Sequence, residues 1–212
     1  MSIQQIFEQF VMGLKATTLP EYIAVFAGIA SVWYSKKEHI LVYPTGLLNT
    51  VIYIWLSFKY HLLGEASVNF YYTIMNIYGW YLWTKKDAQQ QNIVHIRFSN
   101  SKEWHQQLIF FSFFYISIFF ALSYLKKNFA PGAIPWADAL ASASAFTGMW
   151  LMAKKKVESW HWWLMTNICG IPLYFVKGLV FTSVYYFVLL ILAVGGLLEW
   201  RKKALSNKKI HA

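Results

Sequence analysis

The chain has 212 residues, of which 58% are hydrophobic, 20% aromatic and only 13% charged. A soluble domain carries about 25% charged residues, so this composition excludes an ordinary soluble enzyme and indicates a membrane protein. The formal net charge is +10. Because the basic residues lie between apolar segments, they favour a role in membrane topology over nucleic-acid binding.

Seven apolar windows are predicted to be membrane-spanning helices, because a span needs about 20 apolar residues, with about 17 as the usual minimum. The first and fifth windows are short, and each opens with an acid, Glu21 or Asp138. Seven such helices leave no room for a soluble catalytic domain. In chain order the windows cover roughly 21–35, 40–58, 66–84, 106–125, 138–153, 159–176 and 178–198.

Lysine and arginine residues are unevenly divided between the two sides of this seven-span arrangement. With the N-terminus outside, fourteen of the 19 fall in inner loops and the C-terminal tail, and five fall in outer segments. Cytoplasmic loops carry such an excess. We therefore predict a multi-pass protein of the inner membrane with its N-terminus outside and its C-terminus in the cytoplasm.

The first three windows resemble the last three at an offset of 117 residues, with a drift to 118 that pairs Asn49 with Asn167. Two helix triplets in the same orientation are typical of parallel-repeat transporters. The predicted fold is therefore all-α and integral to the membrane, with seven helices in a three-plus-one-plus-three order. The predicted segments are a single membrane domain over 1–212, repeats at 20–84 and 136–200, a cytoplasmic loop and linker helix at 85–128, and a basic cytoplasmic tail at 201–212.

The sixth window begins with the motif WxxWxxxN, formed by Trp160, Trp163 and Asn167. These residues lie at i, i+3 and i+7, so they share one face of a helix. Two indoles and an amide can stack on a flat ring and hydrogen-bond its polar edge. The alternative is an aromatic belt at the membrane surface, which we favour for the neighbouring Trp162. A belt is also commoner than ligand contact for tryptophans that close helices, such as Trp80, Trp83 and Trp200.

Amide side chains in two other windows are further candidates for the binding site. Asn49 lies at the centre of the second window, while Asn69, Asn76 and Trp80 form a stripe on the third with Tyr72 alongside. Buried amides in a membrane face the helix bundle or a wet cavity. Because repeat transporters bind substrate near the midplane, we predict that these residues line the site, unless the amides only tie helices together.

Glu21 and Asp138 are the only acids close to the hydrocarbon. Such carboxylates could bind a cation or carry a proton, but their position at helix N-termini favours a capping role. The sequence holds no nucleotide-binding, hydrolase or metalloprotease motif, and its single cysteine excludes a multi-cysteine metal site. We predict neither enzymatic activity nor a bound metal or cofactor. A membrane-embedded enzyme that uses these two acids is the alternative.

The motifs resemble those of the PnuC family of vitamin transporters over nearly the whole chain. The resemblance implies a SWEET-like arrangement, often a homotrimer, and facilitated diffusion of nicotinamide riboside held by the WxxWxxxN motif. A cytoplasmic kinase would then phosphorylate the substrate and trap it. The resemblance rests on Asn76-Ile77-Tyr78-Gly79-Trp80-Tyr81-x-Trp83, on Gly46-Leu47-Leu48-Asn49 and on WxxWxxxN at 160–167.

Two positions depart from the pattern of the nicotinamide riboside transporters. Asn69 stands where those members have a glutamine, and Tyr185 stands where some have a glutamate. The shorter amide at 69 moves a hydrogen bond by roughly one methylene, which is enough to change which ring edge is recognised. Relatives of similar architecture carry thiamine or riboflavin, so thiamine is the second predicted substrate.

Overall fold

A computed structural model describes residues 3–60, 63–126 and 132–210. The described residues form an all-helical molecule. The helices are α1 (Ile3–Ala16), α2 (Leu19–Lys36), α3 (Val42–Lys59), α4 (Leu63–Thr84), α5 (Ser101–Leu125), α6 (Pro135–Ala153), α7 (Ser159–Val176) and α8 (Val180–Ile210).

Helices α2 to α8 coincide with the seven predicted windows in chain order. Within the described ranges, two helices are long and apolar enough to cross a membrane by length and composition alone, over Ser101–Leu125 and Val180–Lys208. Helices α2, α3 and α7 have 18 residues each and bury polar side chains against other helices.

Helix α1 is not among the predicted elements. At 14 residues it is too short to span a bilayer, and its glutamines and Glu8 interrupt the apolar run. Phe10 of α1 packs on Phe181 of α8 with ring centroids 5.9 Å apart, while its Phe7 side chain is exposed. Because its apolar residues alternate with glutamines and Glu8, the helix is amphipathic. Its Phe10 contact places it against the start of α8.

The helices pack as two triplets that close into a ring. Within each triplet neighbours along the chain are in contact, and the triplets meet where α2 packs on α8 and α4 packs on α6. Helix α5 lies outside this ring against α6, and Gln107 is the buried residue of α5. The ring of α2, α3, α4, α6, α7 and α8 therefore encloses the interior of the molecule.

The two triplets repeat each other at a constant offset. Helix α3 begins at Val42 and α7 at Ser159, and α4 begins at Leu63 and α8 at Val180. Both pairs of positions differ by 117, which is also the separation of Glu38 and Lys155, residues that pair across the triplets. The duplication seen in the sequence therefore extends to the helix boundaries.

The predicted pairing of Asn49 with Asn167 at an offset of 118 is wrong. Asn49 Nδ2 donates to the Ala24 carbonyl at 2.7 Å. Thr166 Oγ1 donates to the Trp162 carbonyl of its own helix at 3.0 Å and also lies 3.4 Å from the Ala141 carbonyl. Thr166 is thus the counterpart of Asn49, because both tie the middle helix of a triplet to the first. The offset of 118 follows from matching two asparagines by residue type. The helix register instead pairs the amide of Asn49 with the hydroxyl of Thr166.

The two acids predicted to cap helices accept hydrogen bonds from backbone amides. Glu21 accepts from the Thr18 N–H at 2.5 Å, and Asp138 accepts from the Ile134 N–H at 2.7 Å. Asp138 also pairs with Lys177 at 2.6 Å. These contacts satisfy exposed amides and complement the helix dipole, which favours the capping explanation.

We call the end of the bundle formed by 37–41, 85–100, 154–158 and the last turns of α8 the basic end. The predicted tail at 201–212 continues α8 as a helix to Ile210, and Asn207 donates to the Ile96 carbonyl at 3.3 Å. This hydrogen bond holds the C-terminal helix against the loop at 85–100, so the tail is not a free segment. The predicted linker boundary at 128 and the last two residues of the tail lie outside the described residues.

Candidate functional site

A cavity of about 80 Å³ lies inside the ring, and each of the six ring helices contributes to its wall. Most of the wall is apolar, with methionine and valine side chains between a small number of polar groups. This composition is typical of sites that bind flat organic molecules. The wall residues with polar or aromatic side chains are Ser31, Ser35, Tyr43, Asn76, Trp160, Trp163 and Asn167.

Four of the eight predicted site residues line this cavity: Trp160, Trp163 and Asn167 of α7, and Asn76 of α4. Both amides are buried, at 3% exposure for Asn167 and 2% for Asn76. Asn76 Nδ2 donates to the Tyr72 carbonyl at 2.9 Å, which leaves its oxygen available. The Asn167 side chain has no hydrogen-bond partner among the described residues.

The other four predicted residues lie outside the cavity wall. Asn49 is bonded to α2 as described above, and Asn69 Nδ2 donates to the Glu65 carbonyl of its own helix at 2.9 Å. Trp80 is 39% exposed on the outside of the bundle. Tyr72 packs behind the wall, with its ring centroid 6.4 Å from that of Trp163.

The cavity is closed towards the basic end by four rings, which we call the aromatic floor: Tyr43, Trp83, Trp160 and Trp200. The Tyr43 and Trp83 rings meet edge to face with centroids 5.2 Å apart at 87°. The Trp160 and Trp200 rings do the same at 5.6 Å and 88°. Each ring of the first pair lies 117 positions before its counterpart in the second, so the floor is duplicated like the helices.

Glycines set the position of two rings in the floor. A Cβ atom added to Gly79 would collide with the Tyr43 ring, and one added to Gly196 would collide with the Trp160 ring. Only glycine allows so close an approach of an aromatic ring to a helix backbone. The two glycines are 117 positions apart, which explains why the GxxxW pattern occurs at the end of both triplets.

The indole N–H groups of the floor connect the triplets reciprocally. Trp83 Nε1 donates to the Ala153 carbonyl at 3.1 Å, and Trp200 Nε1 donates to the Ser35 carbonyl at 3.0 Å. Each bond joins the last helix of one triplet to the first helix of the other. The floor is therefore part of the contact between the triplets.

Tyr43 is a wall residue that is not among the predicted site residues. It is 1% exposed, and its hydroxyl is buried without a hydrogen-bond partner in the described part of the chain. The Nε1 atom of Trp160 is likewise buried without a hydrogen-bond partner among the described residues. The sequence signal for Tyr43 is its separation from Trp160, since the two stand at equivalent positions of the repeat.

Below the floor, an ion pair joins the triplets. Lys155 Nζ lies 2.8 Å from a Glu38 carboxylate oxygen and 4.6 Å from the centroid of the Trp83 ring. Lys203 pairs with the same carboxylate at 3.2 Å. Glu38 and Lys155 also share a left-handed backbone conformation, with φ of 58° and 52°. Equivalent residues thus meet where the two triplets face each other.

A second charged cluster holds α5 to the basic end. Glu103 accepts hydrogen bonds from Arg97 and Lys156. Burial lowers the pKa of Lys156 below its ordinary value, and the hydrogen bond to Glu103 opposes this shift. Within residues 3–60, 63–126 and 132–210, no three His, Cys, Asp or Glu side chains come close enough to hold a metal ion.

Comparison with known proteins decides the family. The family model described as nicotinamide mononucleotide transporter matches residues 18–202. The chain belongs to this family. It is the family of the PnuC transporters, so the chain is a multi-pass membrane protein of a transporter family.

Individual relatives are distant in sequence but match over nearly their full length. The nicotinamide riboside transporter PnuC of Escherichia coli (strain K12) is 23% identical, with 96% of this chain and 94% of that protein covered. The riboflavin/roseoflavin transporter RibM of Streptomyces davaonensis is 22% identical, with 91% and 89% covered. The crystal structure of the vitamin B3 transporter PnuC superposes with a TM-score of 0.69 at 20% identity, covering 96% of this chain and 90% of that one.

Proposed function

We propose that the protein imports nicotinamide riboside across the inner membrane by facilitated diffusion. The observation that carries the proposal is the convergence of Trp163, Asn167 and Asn76 on one cavity between the triplets. The PnuC relative, named as a nicotinamide riboside transporter, supports the same substrate.

The chemistry of the wall fits the nicotinamide group. The indole of Trp163 offers a flat face to a pyridinium ring, whose positive charge it stabilises by a cation–π interaction. Among the described residues no acid lines the cavity, so the ring faces are the groups available to stabilise this charge. The unpartnered amide of Asn167 has both a donor and an acceptor for the carboxamide of the ligand.

Membrane topology is the second part of the proposal. Helices α2 to α8 cross the membrane as parallel repeats at 20–84 and 136–200, and α5 links them. The basic end faces the cytoplasm, and the amphipathic α1 lies at the outer surface. The excess of lysine and arginine at the basic end supports this orientation, as does the packing of α1 on the opposite end of α8. For release into the cytoplasm, the aromatic floor and the Glu38–Lys155 pair have to separate.

Facilitated diffusion only equalises concentrations, so net uptake requires removal of the substrate inside the cell. A cytoplasmic kinase that phosphorylates the riboside provides this trapping. In liposomes without kinase, internal nicotinamide riboside is expected to rise to the external concentration and stop there. Accumulation above that level under an ion gradient would contradict facilitated diffusion.

The binding site is tested by uptake into liposomes containing the purified full chain. Trp163→Ala and Asn167→Ala are each expected to reduce uptake of nicotinamide riboside at least about tenfold, because each removes a direct ligand contact. The matched control is Trp80→Ala, which removes an exposed indole outside the cavity. Equal activity of all three variants would contradict the proposed site.

Another aromatic vitamin, thiamine or riboflavin, is the second candidate substrate. The named activity of the RibM relative and the asparagine at position 69 favour it. The cavity of about 80 Å³ has to widen for any of these ligands. Saturable thiamine or riboflavin uptake without uptake of the riboside would replace the first candidate. The homotrimer stays a prediction from the resemblance, which native mass spectrometry measures.

A further inference from the structure

We propose that Tyr43 is a further substrate-contacting residue, whose hydroxyl hydrogen-bonds the sugar hydroxyls of the ligand from the wall opposite α7. The inference rests on the proposed function, since it assigns a role in the same cavity. It adds to the WxxWxxxN motif a residue on the other triplet that reads a different part of the substrate.

The first argument is that most hydroxyl groups of the cavity wall already have hydrogen-bond partners, whereas that of Tyr43 has none among the described residues. The hydroxyl of Ser31 donates to the Val42 carbonyl at 2.8 Å, and that of Ser35 lies 2.8 Å from the Met152 sulfur. These groups already have partners. The Tyr43 hydroxyl has none in the described ranges, although it is buried. Buried polar groups nearly always have a partner, so this hydroxyl requires one that the protein does not supply.

The second argument is the direction of the Tyr43 ring. Its hydroxyl lies against Gly79 of α4, one turn along the same helix face from Asn76, which lines the cavity. The ring edge is fixed by the contact with Trp83 at 5.2 Å. The hydroxyl is therefore held against α4, next to the Asn76 amide that lines the cavity.

The third argument is the difference between the two halves of the repeat. Position 163 carries an indole on α7, whereas its counterpart on α3 is Gly46, which lies against the Asn76 amide. The α7 wall can thus stack on a ring, while the opposite wall offers the Tyr43 hydroxyl and the Asn76 oxygen. A ligand with a flat ring at one end and hydroxyl groups at the other fits these two unlike walls.

The test compares Tyr43→Phe with wild type in titrations of the purified full chain with nicotinamide riboside and with free nicotinamide. The variant keeps the ring and loses one hydroxyl. We expect the Kd for the riboside to rise about fivefold, the effect of one hydrogen bond, while the Kd for nicotinamide changes less than about twofold. Equal changes for both ligands, or none, would overturn the proposal.

The matched control is Tyr71→Phe, because the Tyr71 hydroxyl donates to the Phe146 carbonyl at 2.9 Å outside the cavity wall. In the ligand-free protein this control is expected to lower the unfolding temperature, whereas Tyr43→Phe leaves it unchanged or raises it. A loss in Tyr43→Phe as large as in the control would show a structural partner and overturn the proposal. If wild type binds no riboside but binds another vitamin, the proposed function fails instead, which a wild-type titration alone reveals.

Discussion

Two glycines determine how the floor of the cavity is built at the scale of single residues. Gly79 and Gly196 each leave the space that an aromatic ring of the preceding helix occupies. A methyl group in that space would push the ring into the cavity or separate the helices. The same two positions close the third helix of each triplet, so the repeat conserves a packing arrangement as well as a sequence pattern.

We expect Gly196→Ala to lower the free energy of unfolding by about 1–3 kcal/mol, the usual effect of overpacking, and to weaken substrate binding by displacing Trp160. Thermal unfolding and ligand titration of the purified variant measure the two effects. The control is Gly132→Ala, since a Cβ atom there meets no atom within 4 Å. A variant at position 196 as stable as this control would contradict the contact.

Hydrogen bonds from indoles join the triplets at the scale of the helices. Trp83 connects α4 to the end of α6, and Trp200 connects α8 to the end of α2. In each bond the donor is buried and the acceptor is a carbonyl in the last turn of a helix. The Ser35 carbonyl also accepts a hydrogen bond from the Glu38 N–H at 3.0 Å. At both contacts between the triplets, an indole N–H therefore donates the hydrogen bond that water would otherwise supply to the carbonyl.

Trp83→Phe and Trp200→Phe are each expected to lower the free energy of unfolding by about 1–3 kcal/mol, because a buried carbonyl loses its indole donor. The loss should be larger at position 83, since the Ser35 carbonyl that faces Trp200 still accepts from the Glu38 N–H. Trp33→Phe, at an exposed indole, provides the control with a change within about 0.5 kcal/mol. A larger loss at position 200 than at position 83 would contradict this order.

The apolar windows predicted helices α2 to α8 because the side chains that face lipid dominate their composition. Helix α1 escaped the same criterion since it is short and half polar. The WxxWxxxN motif could be recognised because its three members lie on one helix. Tyr43 could not, because its importance depends on the packing of α3 against α4 and on a partner that is absent from the protein.

At the scale of the whole molecule, the triplets meet at the basic end through residues that the repeat relates to each other. The Glu38–Lys155 pair and the Ser35–Met152 contact each join positions 117 apart. The Lys155 side chain is only 5% exposed, whereas that of Lys203, the second partner of Glu38, is 37% exposed. The first pair is therefore the one shielded from water and from screening by salt.

This difference in burial leads to a prediction about how the triplets are held together. Glu38→Gln should lower the free energy of unfolding by about 3 kcal/mol, because it leaves the buried Lys155 charge unpaired. Lys203→Gln should cost less than about 1 kcal/mol, as expected for an exposed pair. The Glu38→Gln, Lys155→Met double variant should recover most of the loss, since the charge that lacked a partner is gone. The Kd for substrate should stay unchanged in all three, because none of these residues lines the cavity. A loss in the double variant larger than in Glu38→Gln alone would show that Lys155 stabilises the closed basic end through its contact with Trp83 rather than through the carboxylate.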